Sequence, residues 1–404
     1  MTASYPNPEA PEPGFHSWES ISPAKLREIR TSIKFSRFPE HILPMFVAEM
    51  DFPVAKEVRD AVSRCVDASD FGYLSEPGEL GPAFSEFAKT RWDWEFPAER
   101  VRITTDVSVS VVEPLRLVMP KTGGKIGLST PAYPGFFEML QEFDAEVVEI
   151  PLRFDAGGSA HLDLAAIAAE FKTLNAFILC NPHNPHGAVF TTEELTELAQ
   201  LATANDVAII ADEIHAPLVY KNTEFVPFGP IAEAADTVCF VGCSASKGWS
   251  IPGAKCAVVV GANERSARLL DKLPPEVTTR VSILGLHANI AAFRDGIPWL
   301  DRAIERIEAN VALFHELLSE QLPEAGFVPP KAGYLAWVDL RNTAIAENPW
   351  QALYDHGHVA FGDGKHFGKA GRGFIRVNLA CSPETVREAV SRIVTVVKNA
   401  PVAR

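Results

Sequence analysis

Ala176-Phe177-Ile178-Leu179-Cys180-Asn181-Pro182-His183-Asn184-Pro185-His186-Gly187, Val207-Ala208-Ile209-Ile210-Ala211-Asp212-Glu213-Ile214-His215 and Val238-Cys239-Phe240-Val241-Gly242-Cys243-Ser244-Ala245-Ser246-Lys247 share one design. Each opens on four or five apolar residues without polar alternation, the pattern of a strand buried on both faces. Each then breaks into polar residues. Between the first two lies a helix over Thr191–Ala204: Thr191 and Glu194 have capping-box spacing, and Leu195, Leu198, Ala199 and Ala202 form one apolar stripe. A fourth apolar run follows at Cys256–Val260. Strand, helix, strand in repetition predicts an α/β fold, a mainly parallel sheet with helices on both faces.

This rhythm holds from about residue 50 to 290, which we read as a large α/β domain. Beyond it come a long helix through Ile304–Leu318, candidate strands at Tyr334–Leu340 and Phe374–Leu379, and a closing helix over Pro383–Val397. Residues 291–404 therefore read as a smaller α+β domain, to which the proline-rich start and the rest of residues 1–49 return. A chain of 404 residues is too long for one small core.

Composition narrows the function. With 47% hydrophobic and 22% charged residues, wholesale disorder is excluded. No apolar run approaches the roughly 18–20 residues of a membrane helix. The amino terminus has neither the basic start nor the apolar stretch of a signal peptide, so a cytoplasmic protein without membrane partners is expected. A net charge of −15 argues against a broad nucleic-acid-binding face. The six cysteines form no C-x-x-C pair, which leaves small buried hydrophobes in a reducing compartment and no metal.

In open parallel sheets ligands bind beyond the carboxyl ends of the strands. Those ends here carry Asn184, Asp212, Ser244, Ser246 and Lys247, with Lys255 eight residues further on. Singly each has a bland reading: Asn-Pro marks turns, a lone Asp caps helices, a lone Lys is a solvated charge. Together they suit pyridoxal 5'-phosphate. That cofactor needs an amine for a Schiff base (Lys247) and a carboxylate for its ring nitrogen (Asp212). It also needs a donor to its phenolate oxygen (Asn184), and hydroxyls and a cation around its phosphate (Ser244, Ser246, Lys255).

With these residues in view, the chain resembles the fold type I, aminotransferase-like pyridoxal-phosphate enzymes, and among them the MalY/PatB-type cystathionine β-lyases, or C–S lyases. The resemblance spans nearly the whole chain. It includes Phe46-Val47-Ala48-Glu49-Met50-Asp51-Phe52, Phe71-Gly72-Tyr73, Pro131-Ala132-Tyr133, the Asn-Pro-His-Gly turn and Asp-Glu-Ile-His. It continues through Ser-x-Ser-Lys, Gly333-Tyr334-Leu335-Ala336-Trp337 and Phe374-Ile375-Arg376-Val377-Asn378. It implies Lys247, Asp212 and Tyr133 as catalytic residues, Tyr133 stacking on the ring. It implies Arg376 as the carboxylate anchor, with Tyr334 and Asn184 beside the substrate, and Val107, Ser108 and His215 at the cofactor. Tyr73 would reach the phosphate of a neighbouring subunit, making a homodimer with shared sites.

Three positions depart from the family pattern. Asp106 stands where glycine is common before the phosphate helix, Glu49 where aspartate is common, and Ala216-Pro217 where an acidic residue often follows. The implied reaction is α,β-elimination of L-cystathionine and related cysteine S-conjugates to a thiol, pyruvate and ammonia. Two alternatives stay open: an aminotransferase would use the same lysine, aspartate, asparagine and arginine, and a cofactor-bearing regulator could act by protein contacts.

Overall fold

The computed structural model describes residues 22–400, so the proline-rich start lies outside the described residues. Its centre is a seven-stranded sheet of β1 (Val101–Thr104), β2 (Lys125–Thr130), β3 (Glu146–Pro151), β4 (Ala176–Cys180), β5 (Ala208–Asp212), β6 (Cys239–Cys243) and β7 (Ala257–Gly261). They lie in the order β1-β7-β6-β5-β4-β2-β3. Only β7 runs against its neighbours, antiparallel to both β1 and β6.

Strands β4 to β7 are buried along their whole length. Their alternate residues enter two cores: Phe177, Leu179, Ile209 and Ala211 pack on one face, and Ala176, Ile178, Ala208 and Ile210 on the other. Burial on both faces is why these runs lack polar alternation. Helices α1 (Lys56–Asp67), α2 (Val107–Val118), α3 (Thr192–Ala204) and α4 (Ile283–Asp295) belong to this part of the chain. The Thr191–Glu194 capping box at the start of α3 is formed in full.

A longer helix, α5 (Ile297–Gln321), leads out of this region, and α6 (Pro383–Asn399) closes the chain. The expected start of α5 at Ile304 falls seven residues late. Pro298 looks like a break in sequence, yet it sits in the first turn, where a missing N–H is harmless. A four-stranded antiparallel sheet of β8 (Gly326–Phe327), β9 (Leu335–Asp339), β10 (Gly362–Asp363) and β11 (Phe374–Asn378) has the order β8-β9-β11-β10. The amino-terminal segment returns to this part, as Leu43–Pro44 pairs in parallel with Val359–Ala360. It is fastened by the fully buried pair of Lys34 Nζ and Asp51 Oδ1 at 2.5 Å. No helix of the described residues is long and apolar enough to cross a membrane.

Register positions the site. Cys180 lies opposite Asp212, and Asp212 opposite Gly242, so β4, β5 and β6 end level with one another. The residues that follow them gather at one edge. Since β7 runs the other way, Lys255, which precedes it, arrives at the same edge.

Candidate active site

The cleft at that edge is lined by Asp106, Val107, Ser108, Tyr133, Asn184, Asp212, His215, Ser246, Lys247, Lys255 and Arg376, with Ala48, Thr105 and Met139 among its remaining walls. Lys247 stands on a one-turn helix after β6, and its Nζ donates to Ala48 O at 3.0 Å. Burial, and then the Arg376 charge, lower its pKa to about 8, against the pull of Asp212 and Glu49. Roughly a tenth to a fifth of Lys247 is therefore neutral near pH 7, far more than for a free lysine, and it is the neutral form that an amine nucleophile or base uses.

Asp212 is the last residue of β5. One carboxylate oxygen accepts from Ile214 N–H at 3.0 Å, and the other has no donor among the described residues. Burial raises its pKa to about 6, against that hydrogen bond and the Lys247 charge. A buried carboxylate with one oxygen unsatisfied is a site for a cationic N–H.

Arg376, on β11, is buried and bridges the two sheets. Its Nη1 donates to Asn184 Oδ1 at 3.1 Å and its Nη2 to Phe46 O at 3.2 Å, while Nε is buried without a partner. Arginine has only donors, so it fixes the Asn184 amide with oxygen toward the guanidinium and the NH2 group turned elsewhere. The Asn184 NH2 is left to donate to a ligand. Tyr133 precedes the short helix Pro134–Leu140, and burial raises its hydroxyl pKa. Its ring folds so closely over Gly135 that a Cβ there would lie 2.3 Å from Tyr133 Cε1. His215 is buried, with its pKa lowered to about 3 by burial and then by Lys247 and Arg376. That environment favours the neutral imidazole.

Helix α2 opens on the cleft. Asp106 caps it, accepting from Val109 N–H at 3.1 Å, while the Val107 and Ser108 N–H groups have no partner among the described residues. Unpaired amides at a helix start favour an anion. The concern raised by Asp106, a negative charge beside a phosphate, is met by Lys255, whose Nζ donates to Asp106 Oδ2 at 2.9 Å. Lys255 thus compensates Asp106 as well as facing the cleft. No reading of sequence linked residues 149 apart.

Other expected residues sit elsewhere. Ser244 does not line the cleft: it is buried, its hydroxyl donating to Cys256 O at 2.8 Å and accepting from Ser246 N–H at 3.0 Å. It is a helix cap rather than an open hydroxyl. Tyr334 is buried behind Arg376 with its hydroxyl unpaired, and does not line the cleft either. Tyr73 is 94% exposed and is not among the residues that line its own chain's cleft. Ala48 O is a contribution that residue types do not signal, because it is a backbone atom.

Taken together, the cleft offers a neutralisable amine, a carboxylate with one oxygen open to the cleft, an amide NH2, a helix start and a buried guanidinium. These residues fit pyridoxal phosphate.

The profile of the aminotransferase class I and II family matches residues 54–393. A Mycobacterium leprae protein, provisionally named a cystathionine beta-lyase, is 38% identical over 389 residues, covering 91% of this chain and 94% of that one. The cystathionine beta-lyase of Corynebacterium glutamicum is 34% identical over 377 residues, 91% of this chain and 97% of its own. The solved structure of the pyridoxal-phosphate-bound C–S lyase from Staphylococcus hominis superposes with a TM-score of 0.84 at 25% identity, over 91% of this chain and 95% of that one.

Proposed function

The chain belongs to the aminotransferase class I and II family, and on that premise we propose that it is a pyridoxal-phosphate-dependent carbon–sulfur β-lyase acting on cystathionine and related cysteine S-conjugates. The observation that carries the chemistry is the buried Lys247 amine, lowered to about 8, in one cleft with the half-satisfied Asp212 carboxylate. The choice of lyase over transaminase is supported by relatives named for that activity at 34% identity and above across nine-tenths of the chain.

Bound pyridoxal phosphate supplies the electron sink for the pair released when Cα–H is broken. The residues do the rest. Arg376 takes the substrate carboxylate through its planar fork, with the unpaired Nε as one donor. Lys247 Nζ, in its neutral form, receives the Cα proton and can return it to the departing sulfur. Asp212, ionised, would hold a proton on the cofactor's ring nitrogen. Asn184 would donate its NH2 group to the phenolate oxygen, and the amides of Val107 and Ser108, with Ser246 and Lys255, would hold the phosphate. Loss of the thiol leaves aminoacrylate, which water converts to pyruvate and ammonia. The deciding experiment incubates purified protein with L-cystathionine. Pyruvate and homocysteine in equal amounts support the lyase; transfer of the amino group to an added keto acid without thiol release would replace it by a transaminase.

We further propose a homodimer in the cytoplasm. Phe71 and Tyr73 are 60% and 94% exposed, more than apolar rings usually are unless something covers them. All six cysteines are unpaired and buried, which fits a reducing compartment. If Tyr73 completes the partner's phosphate site, Tyr73→Phe should weaken cofactor binding roughly 10- to 150-fold, the worth of one hydrogen bond to a charged group. The value is read from fluorescence titration of cofactor into stripped protein. A fully active monomer in sedimentation velocity would overturn the shared site.

A further inference from the structure

Away from the cleft, the carboxyl end of α1 carries a feature that the elimination chemistry does not use. The helix stops at Asp67, Ala68 follows as its cap, and Ser69 turns into the left-handed region at φ 56°. Ser69 N–H then donates to Val66 O at 3.0 Å and Asp70 N–H to Cys65 O at 2.8 Å. This is the double hydrogen bond of a Schellman closure, made here without the glycine that usually takes the left-handed position. Its effect is to fold Asp70 back over Cys65.

Helix α4 packs alongside and brings His287 to the same point, with Nε2 3.8 Å from Asp70 Oδ2. A ligand atom from each of Cys65, Asp70 and His287 lies within 4.8 Å of the other two. Three points so spaced have a common centre no more than about 2.8 Å from each, at most about 0.5–0.8 Å beyond zinc–ligand bond lengths. A gap of that size is within what small side-chain torsion changes span. The three also line a surface cavity of about 350 Å³, which gives an ion and its water a way in.

From this juxtaposition we propose that Cys65, Asp70 and His287 form a binding site for a thiophilic divalent cation, zinc in the first instance, with water in the fourth position. The donor set selects the ion. A sulfur ligand disfavours magnesium and calcium, whereas mixed sulfur, imidazole and carboxylate ligation suits zinc. Charge balances as well: one thiolate and one carboxylate neutralise a dipositive ion. Arg64 and Arg294 line the same cavity, but Arg294 is paired with Glu79 at 2.6 Å. Burial, and then Asp70, raise the pKa of the Cys65 thiol against the exposed Arg64, so binding the ion must release the thiol proton. Occupied, the site would clamp the end of α1 to α4 and anchor the segment that leads to Phe71 and Tyr73. The proposal does not depend on the elimination activity.

The test uses the holoenzyme, first dialysed against a chelator and then titrated with zinc, bound metal being counted after gel filtration. One zinc per chain is expected. Cobalt in its place should give a near-ultraviolet thiolate-to-metal band. Cys65→Ser should abolish that band, and His287→Gln and Asp70→Asn, at more accessible positions where folding is not at stake, should each weaken zinc binding by at least about 100-fold, since even outer-shell partners are worth 10–100-fold. His161→Gln is the control, because His161 lies between Asp155 and Glu194 in another His–carboxylate group and should leave the stoichiometry unchanged. Failure to bind one equivalent at micromolar zinc would overturn the site. So would undiminished binding by the His287 and Asp70 variants, or loss of zinc in His161→Gln.

Discussion

Lys247→Ala is expected to yield a folded protein that retains no cofactor through borohydride treatment and denaturation, and that forms pyruvate from cystathionine at least about 10⁴-fold more slowly. Two functions disappear together. The amine that attaches the cofactor is gone, and so is the group that carries the Cα proton, which alone accounts for about 10²–10⁴-fold. Lys247→Arg should be nearly as poor, because a guanidinium keeps its proton at any working pH. The pH dependence separates this account from a packing role. Only the neutral amine can attack a carbonyl, and burial with Arg376 nearby lowers Lys247 to about 8. The rate at which stripped wild-type protein captures pyridoxal phosphate should therefore rise with pH and level off above a midpoint near 8. Stopped-flow absorbance gives that profile. Wild-type pyruvate formation by Lys247→Ala would remove the lysine from the mechanism.

How much of this could be read in sequence follows from which contacts are local. The buried strands were visible because a sheet covered on both faces needs unbroken apolar runs, and β4 falls on Ala176–Cys180 as expected. The runs at Val207 and Val238 begin one residue before their strands; at the first, Val207 N–H is already engaged by Ala202 O as helix α3 ends. Asn184, Asp212 and Lys247 were legible because each ends such a run or lies within four residues of its end. Arg376 was not: its partner Asn184 is 192 residues away, and only the meeting of two sheets brings them to 3.1 Å. The resemblance to a family pointed to it where composition and spacing could not. The pairing of Asp106 with Lys255 was hidden for the same reason, and the antiparallel course of β7 is what creates it. Ser244 shows the opposite failure. A serine two residues before a backbone N–H that starts a helix is a natural cap, and that local rule outweighed its resemblance to a phosphate ligand.

Asp212→Asn is expected to lower kcat by about 10²–10³-fold, the range seen when one preorganised electrostatic partner is removed from a developing charge, while cofactor affinity falls much less. The side chain keeps its shape, and its oxygen can still accept from Ile214 N–H. What it loses is the negative charge that keeps the ring nitrogen protonated, and that charge matters most as electron density leaves Cα. A second measurement distinguishes this role from a structural one. In the cofactor-free protein burial raises Asp212 from 3.8 to about 6. For an acid with a raised folded pKa, the folded state binds more protons than the unfolded state between those values. Stability is therefore unaffected below about pH 4, falls as pH rises through 4–6, and carries the full penalty above 6. A shift of roughly two units corresponds to about 3 kcal/mol. Stripped Asp212→Asn should accordingly be more stable than stripped wild type at pH 7, with the difference shrinking toward pH 4 in urea or thermal unfolding. A carboxylate kept for the fold would behave the other way: its loss would destabilise the empty protein at pH 7 and leave turnover at saturating cofactor unchanged. Greater stability of the empty variant together with lost turnover is the signature of a charge held in the protein for its cofactor.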